Sequence, residues 1–420
     1  MNVSTETISN NPGPIDLLLR KAFVAKLGKL ENARLHLTDP LGSYIFGDES
    51  ELGLVANLNV TDVDFYRRVA LGGSIGAAES YIDGQWQAND LTKVIQIMVR
   101  NRDLLDSMEG GLATVVNKLL AMWYLGKRNS KEGSRKNIAA HYDLGNDLFK
   151  LFLDQHGMYS SATFYHPEVT LEEASTAKLE RICQKLDLCK TDHLLEIGTG
   201  WGGFAAYAAK KYGCKITTTT ISREQYHAAQ QRMKEDNVAD RVTVVMQDYR
   251  ELKGNFDKLV SIEMIEAVGH QYLDIYLKQC ANLLKKDGLA LIQAITIEDW
   301  RYYQALQSVD FIKRYIFPGS FIPCISVLLK SAARSKDLRL INLEDQGDSY
   351  ALTMSHWYQR FMSQLEQVRQ LGYNEEFIRM WEFYMAYCEG GFKEKSISSI
   401  QLLLAKPGNR RRQWLPCHAV

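Results

Sequence analysis

The stretch from His193 to Gly213, HLLEIGTGWGGFAAYAAKKYG, sets Gly198, Gly200 and Gly203 in a G-x-G-x-x-G spacing between an apolar run and an alanine-rich one. Glycine weakens regular structure, so four glycines within six residues mark a backbone that must come close to something. A strand before such a loop and a helix after it form a nucleotide-binding pattern. The same rhythm continues downstream. CKITTTTIS is β-branched, REQYHAAQQRMKEDN is helical, and RVTVVMQD and FDKLVSIEM are strand-like. HQYLDIYLKQCANLLKKDG reads as a helix and LALIQAIT as a further strand. Strands alternating with helices build right-handed βαβ units and a parallel sheet. From about residue 298 to 395 the chain reads mainly as helix, interrupted by RLINLED, and SIQLLLAKP closes it as a strand. The expected fold is α/β, with a helical cover over the carboxyl edge of the sheet, where ligands of such sheets bind.

The loop leaves two cofactor classes open. A dinucleotide site expects a carboxylate about twenty residues on, at the end of the second strand, to hold a ribose. TTTTIS offers none there, which disfavours NAD. Glu196 lies just before the loop, where a carboxylate meets a cationic group directly or through water. Asp248 ends the third strand, in position to accept from an adenine amino group. Polar residues at successive strand ends suit S-adenosylmethionine (AdoMet) better than a pyrophosphate.

Fifty basic residues balance fifty acidic ones, which argues against a nucleic-acid partner. The seven cysteines form no C-x-x-C pair and no metal-ligand spacing, so no metal is expected and reduced thiols in a cytoplasmic protein are. The first residues show no signal-peptide pattern. The most apolar segment, 111–126, contains Lys118 and is too short to span a bilayer. The expected division is a small N-terminal α+β domain over 1–128, a basic linker over 129–136, a catalytic domain over 137–408 and a basic tail over 409–420.

Several segments together carry a family resemblance: AAHYDLGNDLFKLFLD (139–154), MYSSATF (158–164), LEIGTGWGGFA, TTISREQ (219–225), QDYREL (247–252), SIEMIEAVGH (261–270), RYIFPG (314–319) and YMAYCEGGF (384–392). Their order resembles that of the cyclopropane-fatty-acyl-phospholipid synthase family, and AESYIDGQW resembles the small N-terminal domain of its bacterial members. The resemblance implies a Rossmann-like class I AdoMet-dependent methyltransferase sheet. It also implies transfer of the AdoMet methyl carbon to a cis double bond of an unsaturated phospholipid acyl chain, where loss of a proton closes a cyclopropane. By motif, AdoMet is expected to touch Tyr159, Ser160, Glu196, Gly198, Gly200, Gly202, Gly203, Thr220, Ile221, Gln225, Gln247 and Asp248. The family is similar throughout in using a bound bicarbonate as the base. Glu266 of MIEAVG and Tyr315 of RYIFPG match its glutamate and tyrosine, and Cys388 matches a late cysteine.

Two positions depart. Ser161 stands where the family has cysteine, and Gln293 stands where it has histidine. Glutamine still hydrogen-bonds an anion but carries no positive charge. A weaker hold on the base favours a longer-lived cation and more non-cyclic product. Methylene- or methyl-branched products and a small-molecule N-methyltransferase therefore stand as alternatives. Transient contact with a membrane surface is expected through the basic run 127–136, Arg410 to Arg412, Trp414 and Leu415, with Phe317, Phe321 and Ile322 along an acyl path. A homodimer is left open.

Overall fold

The computed structural model describes residues 13–48, 53–104 and 145–410. The 111–126 segment, the basic run 127–136, His141, Arg411, Arg412, Trp414 and Leu415 lie outside the described residues. The described chain forms two compact units. One takes the residues up to 104 together with 373–394, and the other takes 145–372 and 395–410.

The first unit is α+β. Strands β1 (Arg34–Asp39), β2 (Gly42–Gly47), β3 (Val55–Val60) and β4 (Trp86–Ala88) form a sheet in the order β2-β1-β3-β4. Helices Pro14–Leu27, Asp64–Ile82 and Leu91–Arg100 belong to the same unit. Alternate residues of β1, Leu35 and Leu37, are wholly buried, as period-two patterning requires. The helix Glu375–Lys393 joins this unit, although the expected limits assigned it to the catalytic domain. Its contacts explain the difference. Arg379 Nε donates to the Tyr81 carbonyl at 2.8 Å, and Thr92 Oγ1 donates to Glu389 Oε2 at 3.0 Å. A Cβ on Gly390 would lie 2.7 Å from Ile95, so the glycine lets this helix lie close to Leu91–Arg100.

The second unit holds the alternating pattern. Strands β5 (His193–Ile197), β6 (Lys215–Thr220), β7 (Val242–Met246), β8 (Phe256–Ile262), β9 (Leu284–Ile297), β10 (Arg339–Asp345) and β11 (Ile397–Ala405) form a sheet in the order β10-β11-β9-β8-β5-β6-β7. Strands β5 to β9 pair in parallel, and β11 runs antiparallel to both β9 and β10. RLINLED is thus an antiparallel edge strand. Both faces of the sheet are covered. Leu194 and Leu195, adjacent on β5, fall in separate apolar clusters on opposite sides. Chain order reverses between β5 and β8, and the carboxyl ends at that point are where such sheets bind ligands.

Candidate active site

The glycine loop opens the site, and its four glycines serve different ends. A Cβ on Gly203 would sit 2.1 Å from the His156 carbonyl oxygen. One on Gly202 would lie 2.8 Å from Met233, and one on Gly198 would lie 3.3 Å from Met264. These three let the loop pack against its own unit. At Gly200 a Cβ would meet nothing within 4 Å, so this glycine borders open space.

Beside the loop, Glu196 is buried on β5. Its register partner on β6 is Thr218, whose hydroxyl donates to Glu196 Oε2 at 2.6 Å. Burial outweighs that bond and pushes the Glu196 carboxyl up to about 8. A buried carboxyl with one hydroxyl donor, next to open space at Gly200, fits a ligand that brings positive charge and amino donors, as AdoMet does. At the neighbouring strand ends the polar groups are already engaged. Thr220 Oγ1 donates to Gln225 Oε1 at 2.8 Å and accepts from the Ser222 N–H, beside Ile221. Gln247 accepts from Thr219 Oγ1 through its carbonyl, and Asp248 is held by the Arg250 guanidinium at 2.6 and 2.8 Å.

A folded-state carboxyl raised above its unfolded value stabilises the fold at low pH. That contribution is lost as pH rises through the raised value. For Glu196 the window runs from about 4.5 to about 8. The gain in melting temperature of Glu196→Gln over the wild type is therefore expected to grow between pH 5 and pH 8 in AdoMet-free protein. A constant gap in thermal melts across that range contradicts the buried acid.

The segment 156–164 crosses in front of the sheet. Asp154 accepts from the N–H groups of His156 and Met158 at 2.8 and 2.9 Å. The helix Gly347–Ser363 holds the far end, where Thr353 Oγ1 accepts from the Ala162 N–H and Ser349 Oγ from the Phe164 N–H. Tyr159 is thereby set among aromatic rings. Its centroid lies 5.2 Å from Phe149, 5.3 Å from Trp357 and 6.3 Å from Phe317. Ser160 Oγ accepts from Lys178 Nζ at 2.7 Å, and burial lowers that ammonium to about 8.

Sequence reasoning missed the residue at the centre of the polar network. Glu263 follows the last residue of β8 and has a left-handed backbone, φ +47°, a conformation that costs about 1–2 kcal/mol for a residue with a Cβ. Its Oε1 accepts from the Ser161 N–H at 3.0 Å and from Gln293 Nε2 at 2.8 Å. Its Oε2 accepts from the Tyr350 hydroxyl at 2.8 Å. Gln293 is fully committed: Nε2 also donates to the Ser161 carbonyl at 3.2 Å, and Oε1 accepts from Gln401 Nε2 at 3.1 Å. Gln293 thus meets Glu263 through its side chain and Ser161 through its backbone N–H, while the Ser161 hydroxyl donates to the Ala162 carbonyl at 2.9 Å. The available signal was a second carboxylate in SIEMIE, at the end of a sheet strand.

Glu266 is half-buried, three residues further on. Its Oε1 accepts from the Ile295 N–H at 2.6 Å, and its Oε2 is buried with no partner among the described residues. Burial first, and then the charge of Glu263, raise the Glu266 carboxyl to about 8. Burial also raises Glu263, but Gln293, Lys178, the Ser161 N–H and Tyr350 all favour its ionised form. The two environments differ: three donors oppose the effect of burial at Glu263, whereas Glu266 has a backbone donor on one oxygen and the charge of Glu263 beside it.

Two other expected residues are Tyr315 and Cys388. The Tyr315 ring packs on Phe311 at 5.6 Å, with the Arg314 guanidinium 5.2 Å from its centre. Tyr350, on Gly347–Ser363, donates to Glu263. Cys388 sits on Glu375–Lys393 and belongs to the first unit, whereas Ser161, Glu263, Glu266 and Gln293 belong to the second. Among the described residues no group of acidic, histidine and cysteine side chains is arranged to hold a metal.

Residues 129–402 match the family described as mycolic acid cyclopropane synthetase. The chain is 35% identical over 350 residues, 81% of each chain, to a tuberculostearic acid methyltransferase of Mycobacterium tuberculosis. It is 34% identical over 364 residues to the cyclopropane-fatty-acyl-phospholipid synthase of Escherichia coli K12, covering 84% of this chain and 88% of that one. A solved mycolic acid cyclopropane synthase complexed with SAH and CTAB superposes with a TM-score of 0.61 at 28% identity, over 65% of this chain and 98% of that one. The sheet order, the glycine loop beside a buried carboxyl and these similarities lead to one assignment: the chain belongs to the mycolic acid cyclopropane synthetase family and is an AdoMet-dependent methyltransferase.

Proposed function

We propose that this enzyme adds the methyl carbon of AdoMet to a cis double bond of unsaturated acyl chains in membrane phospholipids, and that loss of a proton then closes a cyclopropane ring. The observation that carries this reading is the half-buried Glu263–Glu266 pair in the same unit as the aromatic cluster of Tyr159, Phe317 and Trp357. When bound, AdoMet supplies an electrophilic methyl carbon to the alkene and leaves with the former carbon–sulfur electron pair. The rest falls to the chain. Glu196 and the backbone at Gly200 hold the cofactor, with Tyr159 and Ser160 on the segment that covers it. The aromatic faces stabilise positive charge on the acyl carbon and exclude water. A base next to that charge removes a proton.

Bicarbonate is the base that the family resemblance implies, and its need is tested by omitting it. A second reading, a methylene- or methyl-branched product, is supported by the similarity to a tuberculostearic acid methyltransferase. The membrane-surface reading draws on Trp300 and Tyr303, which are 72% and 67% exposed, as interface-seeking aromatics are. Among the described residues no helix is long and apolar enough to cross a bilayer. The test is transfer of methyl-labelled AdoMet to phospholipid vesicles. Label is expected in unsaturated acyl chains and absent from saturated ones. A labelled product that takes up hydrogen under mild hydrogenation is the methylene chain, and one that resists it is the ring or the saturated methyl-branched chain, which differ by two hydrogens in mass. Label that enters no lipid contradicts the proposal.

A further inference from the structure

Resting on the methyl-transfer reading, we infer that Glu263 is the base, and that its carboxylate takes the place of an external bicarbonate. The resemblance assigns an anion to the segment at Ser161, to the side chain at 293, to Glu266 and to Tyr315, and the first two of these positions face Glu263. In this structure the Ser161 N–H, Gln293 Nε2 and the Tyr350 hydroxyl all donate to the Glu263 carboxylate. A carboxylate has the charge of bicarbonate and the same planar pair of oxygens. Both N–H bonds of the Gln293 amide are taken, one by Glu263 and one by the Ser161 carbonyl, so no donor remains there for a second anion.

Backbone and burial point the same way. Glu263 stands at the carboxyl end of β8, beside the point where the sheet reverses order, in a left-handed conformation that disfavours any side chain. Strain of this kind persists where the surroundings fix it, and it gathers at functional sites. Here it is fixed by three side-chain bonds and by the Glu263 N–H, which donates to the Gln293 carbonyl at 2.9 Å. Oε1 has two donors and Oε2 has one, so Oε2 keeps a lone pair for a proton.

After methyl transfer the acyl chain carries a cation beside the new carbon. Glu263 Oε2 takes one proton from that carbon. The released C–H electron pair either closes the three-membered ring on the cation or, if a hydride has shifted first, forms an exocyclic double bond. Glu263 is then a neutral acid, and the acyl product is neutral too. The proton leaves to solvent before the next turnover.

The experiment uses the full-length protein, vesicles of an unsaturated phospholipid and AdoMet, in buffer freed of carbon dioxide and then with bicarbonate restored. Wild-type turnover is expected to be the same in both, within twofold. Calorimetric titration of bicarbonate into the wild type is expected to give no binding heat, whereas Glu263→Gly, which opens the space, is expected to bind it. Glu263→Gln is expected to lose turnover at least about 100-fold, the scale of a lost base, with AdoMet affinity within twofold of wild type. Wild-type activity that collapses without bicarbonate overturns the inference, and this arm needs no variant to fold. Binding heat for bicarbonate in the wild type also overturns it, as does a Glu263→Gln enzyme within threefold of wild type. A wild type that labels no lipid in either buffer overturns the methyl-transfer reading itself, and the base with it.

Discussion

Gly203→Ala is expected to lower the stability of the second unit by about 3 kcal/mol, the upper range for a forced core overlap, and to weaken AdoMet binding with it. The added Cβ would lie 2.1 Å from the His156 carbonyl oxygen and 3.1 Å from Met158 Sδ. The clash is with backbone, so no side-chain rotation relieves it. The His156 carbonyl also accepts from the Arg232 guanidinium at 2.5 Å, and Asp154 holds the two N–H groups that fix the turn. Moving this segment disturbs Tyr159, Ser160 and Ser161 beyond it. Gly200→Ala is the contrast. Nothing lies within 4 Å of its added Cβ, so only its φ of +53° opposes the change, about 1–2 kcal/mol. Thermal melts and calorimetric titration with AdoMet separate the two. A Gly203→Ala protein that melts with the wild type contradicts the packing role.

Trp357→Ala is expected to cost about 3–5 kcal/mol, the range for emptying a buried large aromatic site. Trp357 is 1% exposed, and its ring lies 5.3 Å from Tyr159, 6.1 Å from Phe152 and 6.2 Å from Tyr350. It therefore backs the aromatic wall and the tyrosine that bonds Glu263 at the same time. Denaturant unfolding measures the loss. Trp357→Phe keeps part of the ring and is expected to keep more than half of that stability. Activity is expected to fall in Trp357→Ala even at temperatures where it is folded, because Tyr350 loses its support. An alanine variant within 1 kcal/mol of wild type contradicts this account of the wall.

The parts of this molecule that were legible in its sequence are local ones. Periodicity marks β5 to β9 and the helices between them because each element carries its own pattern. The loop from Gly198 to Gly203 was legible as a close approach, but not what each glycine approaches. Gly203 faces His156 and Gly202 faces Met233, partners that only the folded chain brings near. Glu263 was hidden for the same reason. Its donors come from the 156–164 segment, from β9 and from Gly347–Ser363, and no spacing in the sequence links them. The helix Glu375–Lys393 shows an apolar face, yet periodicity does not say which unit covers it. Asp248 shows a further limit. Arg250 lies two residues away in QDYREL and takes its carboxylate, a pairing that motif matching passes over.

The central claim is that a proton leaves the transferred carbon itself. Its most direct test is deuterium retention, measured by mass spectrometry of the acyl product made from AdoMet bearing a fully deuterated methyl group. Ring closure and methylene formation both remove one deuteron from that carbon, so the product is expected to carry two of the donor's three deuterium atoms. A product that keeps all of them comes from simple methyl transfer and contradicts the account.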